Sequence, residues 1–394
     1  FLPNKSSRLE KCVSKVFVSQ FEKNGDLLVV GSQDQRIKIF DTSQYKYQFI
    51  NEIAARDVGW IRMVNTWCIP AGLKKVVHQC KLNGDSESHV EFDMLASERR
   101  FCCFSLRFSP DFQGTHILAG ANDCCVYVYD RAINRRILRV LAHSDDVNSV
   151  CFAGKTTDIF YTGSDDGLIK VWDRRLLDQE RPKPVACFAG HSDGVTYIDS
   201  KGDAQYLISN SKDQSIKLWD LRRPSTSSGI HAANQIVAKQ SWDYRYETVA
   251  RLRRPCRIPG DSSVATYSGA HRILHTLIRC FFSPLFTTGQ SMIYTGCATG
   301  ACVVYDVNSG ERVAKLDGHR ACVRDVSWHP YHNEICTSSY LGNRDVQWDA
   351  EVLRWQYRTS SEDRSQDEES DYDSACTSSD EMEIRIPTIT LQFQ

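Results

Sequence analysis

The sequence predicts an all-β propeller, a ring of small antiparallel sheets, and three observations carry that prediction. A short strand closing on an aromatic residue plus Asp recurs along the 394 residues, at Phe40-Asp41, Tyr129-Asp130, Trp172-Asp173, Trp219-Asp220, Tyr305-Asp306 and Trp348-Asp349. From Tyr129 to Trp172 to Trp219 the steps are 43 and 47 residues, and from Tyr305 to Trp348 again 43, the spacing of stacked sheet units. Each copy follows a turn-rich stretch such as Gly163-Ser164-Asp165-Asp166-Gly167 and, upstream, an alternating strand such as Val147–Phe152. One such sheet cannot bury both its faces, and radial stacking solves that while leaving few open edges.

Seven blades are expected, over 12–59, 60–98, 99–142, 143–190, 191–270, 271–318 and 319–358. The longer steps, 89 residues from Phe40 to Tyr129 and 86 from Trp219 to Tyr305, leave room for a degenerate second blade and for an insertion in the fifth. In the second blade only Val90-Glu91-Phe92-Asp93 resembles the closing strand. In the seventh, Gln347-Trp348-Asp349 and Leu353–Arg358 both fit the third strand, and an insertion of about eight residues accounts for the pair. The strand near Cys12–Val18 is expected to close the ring by joining the last blade. Residues 224–260 read as a long loop packed along the propeller side, beginning Pro224-Ser225-Thr226-Ser227-Ser228-Gly229 and including the basic run Arg251–Arg257. The tail 359–394 is acidic and serine-rich and reads as disordered, with Ser361, Ser365, Ser370 and Ser374 beside acidic residues.

Composition excludes several classes. Lys plus Arg number 48 against 49 Asp plus Glu, a balance that argues against nucleic-acid binding. No apolar run reaches the roughly 18 residues of a membrane span. The sixteen cysteines are scattered without a C-x-x-C pair, so no metal site is expected. They read as reduced, buried thiols of an intracellular protein, nuclear or cytoplasmic. The sequon Asn4-Lys5-Ser6 is then not glycosylated. No phosphate-binding glycine loop, zinc-protease motif or nucleophile elbow is present, so no catalytic residue and no cofactor is expected.

A recurring set of side chains points to a family. The fourth blade offers His143, Thr162, Asp166 and Trp172, and the fifth His191, Ser209, Asp213 and Trp219, with the same spacing from hydroxyl to Trp. A buried indole N–H and imidazole need partners, and hydroxyl and carboxylate supply them. The pattern resembles WD-repeat proteins, in which this tetrad is structural. Repetition in successive units argues against reading it as a hydrolase triad, which would be unique. His271 and His319 fit the same slot in the sixth and seventh blades, where Thr299 and Gly342 replace the Asp.

Two consecutive blades end in W-D-x-R, Trp172-Asp173-Arg174-Arg175 and Trp219-Asp220-Leu221-Arg222. Further segments, among them Ile198–Ala204, Trp242-Asp243-Tyr244-Arg245, Leu274–Cys280 and Cys322–Pro330, resemble the WD-repeat protein 23 family of cullin-4-associated factors. The resemblance implies a non-catalytic substrate receptor of a cullin-4 RING ubiquitin ligase. It implies that Trp172, Asp173, Arg175, Trp219, Asp220 and Arg222 face the adaptor, damaged-DNA-binding protein 1. Arg56, Tyr197 and Arg324, at blade entrances, are the candidate substrate contacts. The alternative is a WD-repeat scaffold outside ubiquitin transfer.

Overall fold

The computed structural model describes residues 2–12, 14–54, 66–70, 76–81, 90–94, 101–111, 114–243, 245, 247, 258–340 and 350–358. Its six four-stranded antiparallel sheets have inner strands Val16–Phe21, Cys103–Phe108, Val147–Phe152, Val195–Ser200, Cys280–Phe282 and Cys322–Trp328. These strands stand side by side around the axis. The blade at 147–188 serves for all: Val147–Phe152, Ile159–Ser164, Ile169–Asp173 and Ala186–Phe188 pair in sequence order, with Phe160 opposite Trp172. Val147–Phe152 is buried along its whole length, because an inner strand is covered on both faces by its neighbours.

Among the described residues six complete blades are present, not the expected seven. At the place of the second blade lies a three-stranded sheet, Thr66–Pro70, Val76–Lys81 and Val90–Asp93. Its Val77, Phe92 and Met94 pack with Phe101 and Tyr129 of the next blade, the Phe92 and Tyr129 rings 5.1 Å apart. Two strands missed by sequence reading lie here, because Trp67-Cys68-Ile69-Pro70 and Val76-Val77-His78-Gln79 lack clean alternation.

The ring closes through Lys5–Cys12, which pairs with Ala350–Gln356 from Lys5 opposite Gln356 to Cys12 opposite Ala350. The closing strand thus lies earlier than expected, and Val16–Phe21 opens the first blade instead. Ala350–Gln356 is also the third strand of the last blade, so the later of its two sequence candidates forms it; 341–349 lie outside the described residues.

Each blade has two ends. The turn between second and third strands lies at one rim, and the first-to-second and third-to-fourth connections share the other. The Arg174 N–H bonds Asp158 O at 2.7 Å, Leu221 N–H bonds Gln205 O at 2.9 Å and Val307 N–H bonds Ser291 O at 2.9 Å, fixing the second arrangement blade after blade. Strand Ile169–Asp173 sets the rims roughly 13 Å apart at about 3.3 Å per residue.

The turns at the first rim share a left-handed residue: Gln35, Cys124, Gly167, Gln214 and Gly300 all have φ between 61° and 90°. Only two are glycine, so the sequence marks the requirement weakly. At Gly167 a Cβ would also stand 2.6 Å from Val237, which comes from the fifth-blade insertion. That insertion contains a helix, Ser227–Val237, where a loop was expected. Thr226 caps it by accepting the Gly229 N–H, and Ile230, Ala233 and Ile236 face Leu168, Ala189 and Ile258. Aliphatic residues at helical spacing hold this helix against the propeller.

Candidate protein-docking site

Asp166 and Asp213 stand one residue before the left-handed turn position, and each carboxylate does two jobs. Asp166 Oδ1 accepts the Leu168 N–H at 3.0 Å, holding the turn, while Oδ2 faces His143 Nδ1 at 2.8 Å. His143 Nε2 lies 2.7 Å from Thr162 Oγ1, and the Trp172 indole N–H donates to that hydroxyl at 2.9 Å. The next blade repeats the geometry: Asp213 to His191 at 2.8 Å, His191 to Ser209 at 2.6 Å, and the Trp219 N–H to Ser209 at 2.8 Å. The chain runs one way. Indole N–H donates to hydroxyl, which leaves the hydroxyl proton to face Nε2 and the Nδ1 side to face the carboxylate. Burial opposes charge on Asp213, but His191, Ser215 and the Ser192 N–H outweigh it and hold the carboxyl down at about 2.

The order of bonds matches a Ser-His-Asp triad, yet Ser209 and His191 are wholly buried and the hydroxyl already receives the indole. No substrate can reach it. Among the described residues no cluster of His, Cys, Asp and Glu forms a metal site, and no helix is long and apolar enough to cross a membrane. Cys103 and Cys125 are buried, and their neighbours Cys102 and Cys124 half-buried.

The tetrad decays in the sixth and last blades. His271 Nδ1 meets the Tyr305 hydroxyl at 2.7 Å, the phenol replacing an indole, and its Nε2 has no partner. Thr299 contacts Cys297 Sγ instead. His319 Nε2 meets Thr337 at 2.6 Å, and Trp355 donates to the same hydroxyl at 2.9 Å, while Nδ1 has no partner. Gly342 lies outside the described residues. Burial pushes both imidazoles down to about 4, with only the more distant Asp213 opposing it at His271. They stay neutral in the fold but take up protons below about pH 6.5 in the unfolded chain, so stability is full above that pH and falls towards pH 4. The loss is about 2–3 kcal/mol per histidine at about pH 4.5. The urea midpoint should fall between about pH 7 and pH 4.5, and His319→Gln should flatten that fall.

At the second rim, the Asp after each closing aromatic caps its own turn. Asp130 accepts the Ala132 N–H, Asp41 the Ser43 N–H and Asp306 the Asn308 N–H, at 2.8, 2.8 and 2.9 Å. Only in the two W-D-x-R blades is the second residue after Asp an arginine. Arg175 clasps Asp173 through Nε and Nη2 at 3.0 and 2.7 Å, and Arg222 clasps Asp220 at 3.0 and 2.8 Å. The forks lower both carboxyl pKa values. The arginine side chains remain 66% and 68% exposed, so the clasp adds little stability in water. Its effect is to fix each guanidinium in one orientation, with N–H donors left over for a partner.

A third W-D-x-R sits in the insertion, and its local geometry is the same. Arg245 clasps Asp243 at 2.9 and 2.8 Å and is 60% exposed. It lies at the other rim: Gln240 donates to Ser192 O at 3.0 Å, beside the turn where Lys212 pairs with Asp165 at 2.8 Å.

Of the candidate substrate contacts, Arg56 lies outside the described residues. Tyr197 is only 4% exposed and sits in the inner wall, its ring between the Arg107 and Arg279 guanidiniums. Arg324 is half-buried, stacked on Phe17 and Tyr340 at 5.1 and 6.0 Å and donating to Phe17 O at 3.1 Å.

The WD domain, G-beta repeat model matches residues 10–41, 135–173, 182–220 and 310–346. The chain is 40% identical over 368 residues to the DDB1- and CUL4-associated factor 11 homolog of Caenorhabditis elegans, covering 88% of this chain and 63% of that protein. It is 39% identical over 373 residues to the LEC14B protein of Lithospermum erythrorhizon, covering 90% of this chain and 75% of the relative. The chain belongs to this WD-repeat family. It spans less than two thirds of the worm relative's length. A more distant member, DDB1- and CUL4-associated factor 10 of Danio rerio, is 28% identical over 184 residues.

Proposed function

We propose that this chain is a non-catalytic substrate-receptor subunit of a cullin-4 RING ubiquitin ligase, working inside the cell, in nucleus or cytoplasm. It docks on the damaged-DNA-binding adaptor through Arg175 and Arg222, and its other rim holds a protein substrate. The observation that carries the reading is the pair of exposed, pre-oriented Asp-Arg forks on one rim of neighbouring blades. An arginine already held in its bound orientation loses less freedom on association. The names of the two factor homologs support the choice of partner. The propeller needs no chemistry of its own: holding a substrate near the charged enzyme raises the effective concentration of its lysines.

Co-purification with the adaptor tests this. Arg175→Ala with Arg222→Ala should reduce recovery more than about tenfold, the effect of removing interface anchors. Arg245→Ala should leave recovery unchanged, because its fork is at the other rim. Full recovery by the double variant would favour a scaffold outside ubiquitin transfer.

A further inference from the structure

Beside the Asp-Arg forks, the same rim carries a pair of large apolar side chains with nothing to cover them. Leu285 and Phe286 are 71% and 76% exposed. They sit on a short helical turn, Leu285–Thr288, in the connection between the first two strands of the sixth blade. The turn beneath them is tied down by hydrogen bonds, which fixes where the two side chains stand on the rim. The Thr288 hydroxyl bonds Ser283 Oγ at 2.5 Å and Pro284 O at 2.8 Å, Ser291 Oγ donates to Thr288 O at 2.8 Å, and Gly289 closes the turn at φ 62°. The Phe286 ring stands edge-on to Tyr331, 5.3 Å away in the last blade.

The patch is continuous with the arginine rim. Gln290 donates to Lys201 O at 3.0 Å, Lys201 lies 5.3 Å over the Tyr206 ring, and Arg222 Nη2 reaches the Tyr206 hydroxyl at 3.5 Å. Apolar anchor and arginine rim thus form one surface across the fifth, sixth and last blades, with Lys201 and Arg222 paired to Asp203 at 3.9 Å and Asp220 at 2.8 Å. Apolar side chains ringed by oriented polar groups are the arrangement that concentrates binding energy.

We infer that Leu285 and Phe286, supported by Tyr331, are the apolar anchor of the adaptor-docking rim, and that the adaptor meets them with an apolar cleft edged by hydrogen-bond acceptors. This rests on the reading that the Arg175–Arg222 rim docks the adaptor. The cleft answers the two side chains, and the acceptors answer the N–H donors that the Arg222 fork leaves over.

The test is the affinity of purified adaptor for the 394-residue chain, wild type against Leu285→Ser with Phe286→Ser, with Arg175→Ala/Arg222→Ala and Leu141→Ser in parallel. Leu141 is exposed at the end of an outer strand, opposite Cys125 at the other rim. The apolar double variant should bind at least about tenfold more weakly, Leu141→Ser should bind as wild type, and both should keep a cooperative thermal transition, since the replaced side chains lie largely in water. Binding within twofold of wild type overturns the inference. If the arginine variant then still loses binding, the docking reading stands alone. If the apolar variant loses binding and the arginine variant does not, the anchor stands and the role of the forks falls. Absence of binding by the wild type overturns both. A change in sedimentation without a change in adaptor affinity assigns the patch to self-association and also overturns the inference.

Discussion

Replacing Trp219 by alanine is expected to destabilise the protein by about 3–5 kcal/mol, the range for truncating a buried aromatic residue. Trp219 is fully buried, and its indole lies 5.6 Å from the Phe188 ring, which belongs to the preceding blade. It packs in one cluster with Val171, Ile198 and Leu207, so the void would open between two blades as well as within one. The chain from Trp219 through Ser209 and His191 to Asp213 would lose its first donor. Trp219→Phe separates the two effects: it keeps most of the volume and removes the N–H, and should cost about 1–2 kcal/mol. Denaturant midpoints of the three proteins would order as wild type, Phe, Ala. A Phe variant as unstable as the Ala variant would mean that the hydrogen-bonded chain, rather than packing, dominates.

Asp325→Ala should be comparably severe, about 3–5 kcal/mol, for a different reason. Asp325 is fully buried at the seam where the ring closes. It accepts the Ser19 N–H at 2.9 Å and the Gln20 side-chain amide at 2.9 and 3.0 Å from the first blade, and Arg279 at 3.3 Å from the sixth. Arg279 is itself buried. Removing the carboxylate strands a buried charge, and stranding is costlier than the pair is worth. Arg279→Met combined with Asp325→Ala should therefore lose less than the sum of the single changes, a non-additivity that a double-mutant cycle measures. Additive losses would show that Asp325 acts mainly through Ser19 and Gln20.

These sites differ in how legible they were. The tetrads of His143 and His191 follow from spacing alone, because each blade folds by the same local rules and the Asp, hydroxyl and Trp fall at fixed strand positions. The role of Asp325 has no such signal. Its partners lie more than three hundred residues away in sequence, at Ser19 and Gln20, and become neighbours only when the ring closes. The same holds for Tyr197, a candidate surface contact by its place near a blade entrance. It is enclosed because Arg107 and Arg279 from other blades stack on it.

The clearest division lies in the three W-D-x-R segments. The Asp-Arg fork in each needs only residues two apart, so its geometry is local. The sequence by itself determined the repeat, most of the strands and the neutral balance of charge, but not the strands Thr66–Pro70 and Val76–Lys81 or the helix Ser227–Val237. Which rim each arginine faces was decided by tertiary structure. Arg175 and Arg222 end third strands and share a rim, while the insertion helix carries Arg245 across to the other. Tertiary structure also decided that Leu285 and Phe286 stay in water while equally apolar segments were buried. A strand's periodicity reports its own two faces, and only the packing of blades around a common axis assigns what each face and each rim will meet.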